Sequence, residues 1–599
     1  MRIAPRHLRP APRRRGVVLL SVLVVLVLLS LAAYQYSELM VAESRAADSY
    51  SRSAQAHGFA ESGVWYAAAL LSNPDEVATT LNGNPYNNPT AFQGVLVQDD
   101  ANPKRRGRFS IIALADPDPN TGGVVGTGQG YYFGVNDESG RINLHSLLQL
   151  DSSGQTASTI LQALPNVTQD VSDPILDWID ARTTDPRPSG AKNQYYGTQN
   201  PSYRAKSYPL DTLDELLLVK GITPQLLWGN DLNRNGTLDP GEDPQGTGIV
   251  DRGLSAYITL YSRELNVDSQ GNPRVNVNDS NLDTLAANLS NAGISDDLVN
   301  YILAYRTYGG SSSGGGPGAG QGQQGGGAQP QPPGGGGQAR PGGGGQAQPM
   351  ARAPAQPAGR GDNDADDRGQ ATGGGGAPAG GGMAGGGSVR PSSQLSRTTA
   401  RGGSGGRGGG GQTRIASLFD LVNSQVTIPS QGNNQPAQVY LSPMSDPSSI
   451  RQMLPTVLDK LTTVSSGTIP ARVNVNTAPA AVLSALPGLQ NNDSYVQAIL
   501  SARPPLTAAE APDPIFQTPA WLITEANLPV STVKTMERYV TARSQVYRVQ
   551  SVGYFDGGGP TARIEAVIDT NNGRPRILYW RDLTELGKAF DFTSQQQQQ

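Results

Sequence analysis

The stretch that decides the fold is RRRGVVLLSVLVVLVLLSLAA at residues 13–33, where a charged end passes into a strongly apolar run. The seventeen residues from Val17 to Ala33 are apolar except for Ser21 and Ser30. As a helix rising about 1.5 Å per residue they span roughly 26 Å, close to the ~30 Å hydrocarbon core of a bilayer. Six arginines precede the run with no acid to offset them, which predicts a cytoplasmic N-terminus and an exported remainder.

Three interpretations of this stretch compete: a cleaved secretory signal, a plain signal anchor, and a prepilin-type leader cut between Gly16 and Val17. The continuation of the chain favours the third. No proline interrupts it before Pro74, and small and apolar residues recur at helical spacing. One helix of about 55 residues, roughly 80 Å long, is therefore predicted. A secretory cleavage would cut that helix in two.

The composition narrows the classes of function. The 599 residues carry a net charge of −4, and loss of a leader with six arginines would take it to −10. A chain this acidic is not expected to bind nucleic acid through bulk charge. With no cysteine and only three histidines, disulfides, thiol catalysis and a multi-histidine metal site are not expected.

Strand-like segments lie early and late in the chain, and turn sequences separate them. Since an isolated meander is marginally stable, the late strands are expected to join the early ones in one antiparallel sheet. The predicted strands are residues 108–115, 130–135, 546–552, 562–568 and 575–580. The fold class is therefore α+β: a long N-terminal transmembrane helix and an antiparallel β head, interrupted by a large, mostly helical insertion.

A weak repeat marks the insertion: Arg141-Ile-Asn-Leu-His, Arg274-Val-Asn-Val-Asn and Arg472-Val-Asn-Val-Asn. Each copy predicts a short strand, an Asn or Thr helix cap (Asn476 or Thr477 in the third copy) and a helical hairpin. A segment rich in Gly, Pro and Gln interrupts the insertion and predicts disorder. The predicted organisation is a leader at 1–16, the long helix at 17–72, the first part of the head at 73–143, helical insertion at 144–308, disordered insertion at 309–412, helical insertion again at 413–543, final head strands at 544–585 and a disordered tail at 586–599.

One motif carries specific chemistry. Residues 231–242, DLNRNGTLDPGE, fit the twelve-residue calcium loop D-x-[DN]-x-[DN]-G-x5-E at every defined position. Gly236 permits the sharp turn, and Pro240 departs from the usual pattern near the exit. An Asx-rich turn without an ion is the alternative. The motif predicts a weak, structural calcium site with these oxygen ligands: Asp231, Asn233, Asn235, the Thr237 carbonyl, Asp239 and Glu242.

Other polar clusters are weaker. Asp173, Asp177 and Asp180 on one helix could serve chemistry or hold a second ion, but helix capping and solvent exposure are expected instead. No nucleophile elbow, Walker loop, HExxH or dinucleotide fingerprint occurs in the sequence. A catalytic role is therefore not expected.

The order of several short motifs resembles the minor pseudopilin K subunits of type II secretion. Besides the Gly16/Val17 junction and the long helix, these are Gly140-Arg-Ile-Asn143, Leu176-Asp-Trp-Ile-Asp180, Tyr203-Arg-Ala-Lys206, Leu213-Asp-Glu-Leu-Leu217 with Val219-Lys-Gly221, and Val473-Asn-Val-Asn-Thr-Ala478. The resemblance implies that the antiparallel β head is pilin-like and carries a large helical insertion. It also implies cleavage by prepilin peptidase and methylation of Val17. It also implies assembly with the I and J pseudopilins at the tip of a periplasmic pseudopilus, on an inner-membrane secretion platform, with the helix in the lipid bilayer. The resemblance further implies that the glutamate usual five residues after the cut is absent, and Ser21 stands there.

A rival interpretation is a membrane-anchored periplasmic DNA-binding protein. The run Val473-Asn-Val-Asn-Thr-Ala-Pro with Leu486-Pro-Gly488 is similar to helix-hairpin-helix modules, whose glycine-rich turn offers backbone N–H groups to phosphate. The second hairpin glycine is missing here and basic residues are sparse. An anchored periplasmic hydrolase is a third possibility, with no residue constellation to support it.

Overall fold

The structure is a computed structural model that describes residues 15–115, 130–243, 246, 248–312, 389–400, 412–429, 436–505, 511–587 and 590. Its first part is a helix of 58 residues followed by short helices and strands. The elements in order are α1 Arg15–Ser72, α2 Pro74–Thr79, α3 Pro89–Phe92, β1 Val95–Gln98, β2 Gly107–Leu114, β3 Tyr131–Phe133 and β4 Asn136–Asp137. The unbroken helix predicted from the sequence is confirmed.

The middle of the chain alternates helices with two- and three-residue strands. It contains β5 Ile142–Asn143, α4 Leu144–Leu150, α5 Gln155–Gln162, α6 Gln169–Ile179, α7 Asn193–Tyr196, α8 Pro224–Trp228, β6 Ile258–Thr259, β7 Glu264–Leu265, β8 Val275–Asn276, α9 Leu282–Asn291, α10 Asp296–Tyr308 and β9 Gly310–Ser312. The segment 213–219, predicted to be helical, is a 3-10 helix over Leu213–Leu218.

The second part of the insertion resumes with strands and then becomes helical. Its elements are β10 Val389–Pro391, α11 Arg397–Ala400, β11 Ser424–Ile428, β12 Gln438–Leu441, α12 Pro447–Lys460, β13 Leu461–Thr462, β14 Thr468–Ile469, β15 Val473–Asn474, α13 Ala480–Ala485, α14 Asp493–Ala502, α15 Trp521–Thr524, α16 Val530–Met536 and β16 Val540–Thr541. The chain ends in β17 Val546–Phe555, β18 Ala562–Asp569 and β19 Arg576–Asp582.

One antiparallel sheet joins the two ends of the chain in the order β1-β2-β17-β18-β19, with β3 beside β2 and β4 beside β17. In its register Ile111 lies opposite Ser551, and Ser551 lies opposite Ile564. The expectation that late strands complete the early sheet is therefore confirmed, and the α+β class holds.

The C-terminal half of α1 packs on one face of this sheet. Phe59 meets Phe555 edge-on, with ring centroids 5.3 Å apart. Glycines allow the close approach: a Cβ on Gly553 would lie 2.1 Å from the Ala56 carbonyl, and one on Gly63 would lie 2.2 Å from the Ser551 hydroxyl. Ala56, Ala60 and Val64 are fully buried there, so the head has its own hydrophobic core.

The three repeat copies make the same small unit. Each Asn-containing strand pairs in parallel with a short strand from later in the chain: β5 with β6, β8 with β13 and β15 with β16. A helix follows each copy. In the third copy the predicted cap is wrong: α13 begins after Pro479, because Asn476 instead donates to the Phe516 and Ala542 carbonyls, at 2.8 and 3.0 Å.

The insertion is less purely helical than predicted. Strands β9 to β12 form a four-stranded sheet in the order β10-β12-β11-β9. Two of these strands, with the helix α11, belong to the segment 309–412 that was predicted to be disordered. That prediction is wrong for residues 310–312 and 389–400, because Leu395 and Ala400 are buried and the strands find partners. Residues 313–388 and 401–411 lie outside the described part.

The tail differs in a similar way. Phe590, which falls in the predicted disordered segment 586–599, is 4% exposed and packs edge-on against Tyr131, with ring centroids 4.9 Å apart. An aromatic side chain in a polar segment can still find an apolar cleft, which composition alone does not show. The leader before Arg15, the turn at 116–129 and the last nine residues lie outside the described part.

Candidate functional site

The N-terminal half of α1 stands away from the rest of the chain. Every residue from 17 to 51 is exposed, Val17 at 61%, whereas burial begins at Ala56. Gly16 and Val17 lie in the first turns of the helix, and the Ser21 hydroxyl donates to the Val17 carbonyl at 2.9 Å. Within the described residues this is one helix long and apolar enough to cross a membrane. The finding indicates a single-pass membrane anchor.

The calcium-like loop closes through its own acidic ends. The Asp231 carboxylate accepts from the N–H groups of Asn235 at 3.0 Å and Gly236 at 2.9 Å. The Glu242 carboxylate accepts from Leu232 at 3.0 Å and from Asp239 at 2.9 Å. The first and last acids of the motif therefore hold the loop in a tight turn, and both are buried.

The remaining predicted ligands surround Asp239. Its carboxylate accepts from the side-chain amides of Asn233 at 2.5 Å and Asn235 at 2.7 Å. Asn235 also accepts from the Thr237 N–H at 2.7 Å. The six predicted positions are thus brought together in one loop. In this arrangement the two amide groups point their nitrogens, rather than their oxygens, at Asp239.

The donor chemistry of the loop fits a hard cation, since all six groups can present oxygen. Among the described residues no three His, Cys, Asp or Glu side chains are gathered closely enough to hold a metal by themselves. An ion here would depend on the amide and carbonyl oxygens, after the two asparagine amides rotate. Gly236, at φ +72°, also fits: a Cβ there would lie 2.3 Å from the Gly130 carbonyl.

A buried arginine fastens this loop to the main sheet. Arg563 on β18 is 1% exposed and donates to the carbonyls of Asn233 at 2.9 Å and Arg234 at 3.0 Å. Gln550 on β17 donates to the same Arg234 carbonyl at 3.2 Å. Burial lowers the pKa of Arg563 to about 10, although the Asp231 carboxylate acts in the opposite direction. The loop is therefore one of the contacts between the insertion and the sheet face opposite α1.

The sequence did not reveal Arg563. Apolar and polar residues alternate in the sequence of β18, but all eight residues are buried. The reason is that α1 covers one face of the strand and the insertion covers the other. The available signal was a charged residue within a strand of the central sheet. Because buried charges in proteins are paired, such a residue indicates a partner on the opposite face.

The acidic cluster on α6 is buried, contrary to the expectation of solvent exposure. Asp173, Asp177 and Asp180 do not face solvent: each is at most 3% exposed. Arg187 donates to Asp177 at 2.5 Å and to Asp180 at 3.0 Å. Hydrogen bonds from Arg182 hold the pKa of Asp180 well below its usual range, while burial raises that of Asp177. The cluster forms a structural ion-pair network with these arginines, and this network holds the loop that follows α6.

Several of the family-like motifs meet beside this cluster. The Trp178 indole donates to Glu215 at 2.9 Å, and Lys206 donates to the other oxygen of the same carboxylate at 2.9 Å. Tyr203 donates to the Leu218 carbonyl at 2.8 Å. Three separate sequence motifs therefore build one packed unit.

The hairpin that resembles a DNA-binding module packs against other parts of the same chain. A Cβ on Gly488 would lie 3.3 Å from the Thr532 carbonyl, so its turn packs close to α16. Arg503, the basic residue at the end of α14, donates to the Ala478 carbonyl at 2.7 Å. Thr477 and Asn474 each donate at 2.7 Å to the buried Asp137 of the head. The hairpin is a scaffold, and the DNA-binding alternative is not supported.

Comparison with known proteins gave one family match and one structural likeness. A search of the curated proteins gave no match. Among solved structures, the crystal structure of the GspK-GspI-GspJ complex from the enterotoxigenic Escherichia coli type 2 secretion system is similar over 90% of this chain and 99% of its own. At 9% identity and a TM-score of 0.29 that likeness carries no argument. A family model described as type II secretion system, protein K, matches residues 140–228. This match spans the packed unit around Trp178 and confirms the resemblance over that part of the chain: residues 140–228 are similar to the protein K family of type II secretion.

Proposed function

We propose that this chain is a non-enzymatic minor pseudopilin that assembles with other minor pseudopilins at the tip of a periplasmic pseudopilus and helps to initiate it. The observation that carries the proposal is the uncovered half of α1, where residues 17–51 are all exposed. The apolar part of this surface, Val17 to Ala33, needs lipid or other helices to cover it. The partners expected are the I and J types, which the sequence resemblance implies.

The start of α1 supports a place at the tip. In other pilin-like subunits the acid five residues after the cut would neutralise a neighbour's N-terminal amine inside lipid, where an unpaired charge is expensive. Ser21 has no charge, and its hydroxyl is satisfied by the Val17 carbonyl. A subunit with nothing above it has no amine to neutralise. The arginines before the helix support an inner-membrane position with a periplasmic head.

Processing is part of the same proposal. Prepilin peptidase would cut between Gly16 and Val17, Val17 would be methylated, and the inner-membrane platform would then take up the subunit. Mass analysis of the mature N-terminus tests this: the expected product begins at methylated Val17, and Gly16→Ala is expected to remain uncut. Ser21→Ala serves as the control and should be processed normally. A product that begins elsewhere, or processing of Gly16→Ala, would refute it.

Assembly is tested by co-purification. The full chain should co-purify with the I and J pseudopilins of the same cell. Replacing Val17 to Ala33 by a polyleucine stretch of equal length would keep the anchor but remove the specific helix surface. Unchanged recovery of both partners would show that the head alone determines assembly.

We further propose that the loop at 231–242 binds calcium as a structural ion. Its oxygen-rich donor set and its attachment to Arg563 support a role in stiffening the contact between insertion and sheet. Three carboxylates predict weak binding, of the order of 10⁻⁴–10⁻³ M. In the full chain calcium should slow hydrogen exchange of the loop amides, and Asp239→Asn, which keeps the side-chain shape, should remove that effect. Equal protection in this variant would contradict the proposal.

A further inference from the structure

The insertion contains a cavity of about 510 Å³ that neither the anchor nor the calcium-like loop uses. Two other cavities measure about 60 and 50 Å³. Ligand pockets in proteins commonly fall between about 300 and 1,000 Å³. Val464 and Arg538 at its rim are exposed, so the cavity opens to solvent. It is large enough for a short segment of chain.

Its walls combine apolar side chains with arginine. Leu458, Leu461, Ile469 and Phe419 form apolar wall. Five arginines and one glutamate also line the cavity, the arginines being Arg274, Arg414, Arg472, Arg538 and Arg543.

Three of the arginines already have carboxylate partners. Arg274 and Arg472 contact Glu264, and Arg543 contacts Asp459 at 3.1 Å. The remaining two, Arg414 and Arg538, are exposed and form no ion pair within the described part of the chain. Two cations at the mouth of an apolar cavity favour a ligand with an anionic group and an apolar body.

The one glutamate offsets only part of this charge. Glu537 accepts the Leu418 N–H at 3.1 Å, and burial raises its pKa from the ordinary value. Its carboxyl group is thus engaged in the wall. Two arginines without an ion pair among the described residues, against one carboxylate, leave the lining with a net positive charge.

Polar groups in the wall distinguish between possible ligands. The Thr518 hydroxyl is buried without a hydrogen-bond partner among the described residues, and Thr518 is 5% exposed. Gln149, Thr463 and Gln517 also line the cavity. A hydrocarbon chain would leave such groups unpaired, whereas a peptide backbone offers them donors and acceptors.

We propose that this cavity binds a short apolar peptide segment that carries a carboxylate, with the carboxylate at Arg414 and Arg538 and the peptide backbone at Thr518. The segment would come from another protein, as a C-terminus or an acidic residue among apolar ones. This site is separate from the uncovered surface of α1, so the inference does not rest on the assembly role.

The test uses the full chain in lipid nanodiscs and a labelled pentapeptide of leucine, valine and phenylalanine with a free C-terminal carboxylate. Fluorescence anisotropy should show saturable binding, at least tenfold weaker for the C-terminal amide of the same peptide. Arg414→Gln with Arg538→Gln should weaken carboxylate binding at least tenfold and leave amide binding unchanged. Arg414→Lys with Arg538→Lys should restore it. Both arginines are exposed, so the fold should survive these changes.

Three results would overturn the proposal. The first is that the carboxylate peptide shows no saturable binding, and the second is that the carboxylate and amide peptides bind with equal affinity. The third is that decanoate displaces the peptide at concentrations where the peptide itself binds, which would indicate a fatty-acid site instead. Ala416→Phe narrows the cavity from an exposed wall position. It should abolish peptide binding while hydrogen exchange of β17 stays unchanged, and persistent binding would place the peptide elsewhere.

Discussion

Two glycines of α1 allow the helix–sheet packing to be tested with a matched pair of substitutions. Gly58 and Gly63 lie five residues apart in the same helix. Alanine favours a helix over glycine by roughly 1 kcal/mol at an interior position. A Cβ on Gly58 would meet nothing within 4 Å. Gly58→Ala should therefore stabilise the head by roughly 1 kcal/mol.

The same change at Gly63 should have the opposite sign. Its Cβ would lie 2.2 Å from the Ser551 hydroxyl and 2.8 Å from the Phe109 ring, both buried. Overpacking of this kind typically costs about 1–3 kcal/mol. Two contacts under 3 Å point to the upper half of that range. After the gain in helix propensity, Gly63→Ala should destabilise the head by about 1–2 kcal/mol.

The assay is hydrogen exchange of the β17 amides in the full chain, which reports the free energy of opening of this region. The two variants should differ by about 2–3 kcal/mol. Adding Ser551→Ala to Gly63→Ala removes one of the two clashes and should recover part of the loss. Equal stability of Gly58→Ala and Gly63→Ala would refute the close packing of α1 on β17.

Two further predictions concern charge. Arg563→Leu removes the donor to two loop carbonyls, and each buried unsatisfied group costs about 1–3 kcal/mol, so hydrogen exchange in 231–242 should rise. The control, Arg581→Leu, removes a half-exposed partner of Asp214 and should cost under about 1 kcal/mol. Equal effects of the two changes would show that Arg563 does not hold the loop. Since the folded pKa of Asp180 is lowered, its stabilising effect is present above the unfolded value of about 4 and is lost as pH falls below it. The free energy of opening of α6, obtained from hydrogen exchange after correction for the intrinsic exchange rate at each pH, should therefore fall between pH 5 and pH 3, and much less in Asp180→Asn. An equal fall in that variant would assign the acid sensitivity to another group.

Local patterns predicted a large part of this fold. The absence of proline and the recurring small residues gave the full length of α1, and turn sequences gave the late strands that complete the sheet. The helix depends on interactions between residues that are near in sequence. The sheet follows because an isolated meander is marginally stable and needs further strands as partners. The motif spacing likewise brought the six positions of 231–242 into one loop.

Tertiary contacts account for what the sequence did not show. Asp177 and Asp180 look like a solvated helix face until Arg187, several residues later, folds back over them. Arg563 looks like the exposed half of an alternating strand until the insertion covers it. Ordered residues at 389–400 are found because strands elsewhere accept them as partners. None of these pairings leaves a periodic trace in the sequence.

Because the two ends of the chain share one sheet, the head can fold only after the whole chain has been synthesised. Ile111 faces Ser551 across the ladder, so the middle strand of the sheet is synthesised hundreds of residues after its neighbour. Until β17 and β18 arrive, the apolar side of α1 from Ala56 onward has only the early strands, such as β2, to cover part of it. Such distant pairing is slow to form and exposes surface that other proteins can recognise. A chain broken anywhere in the insertion would therefore keep an anchor but never close its head, and the cell could distinguish it from a finished subunit by that exposed helix face alone.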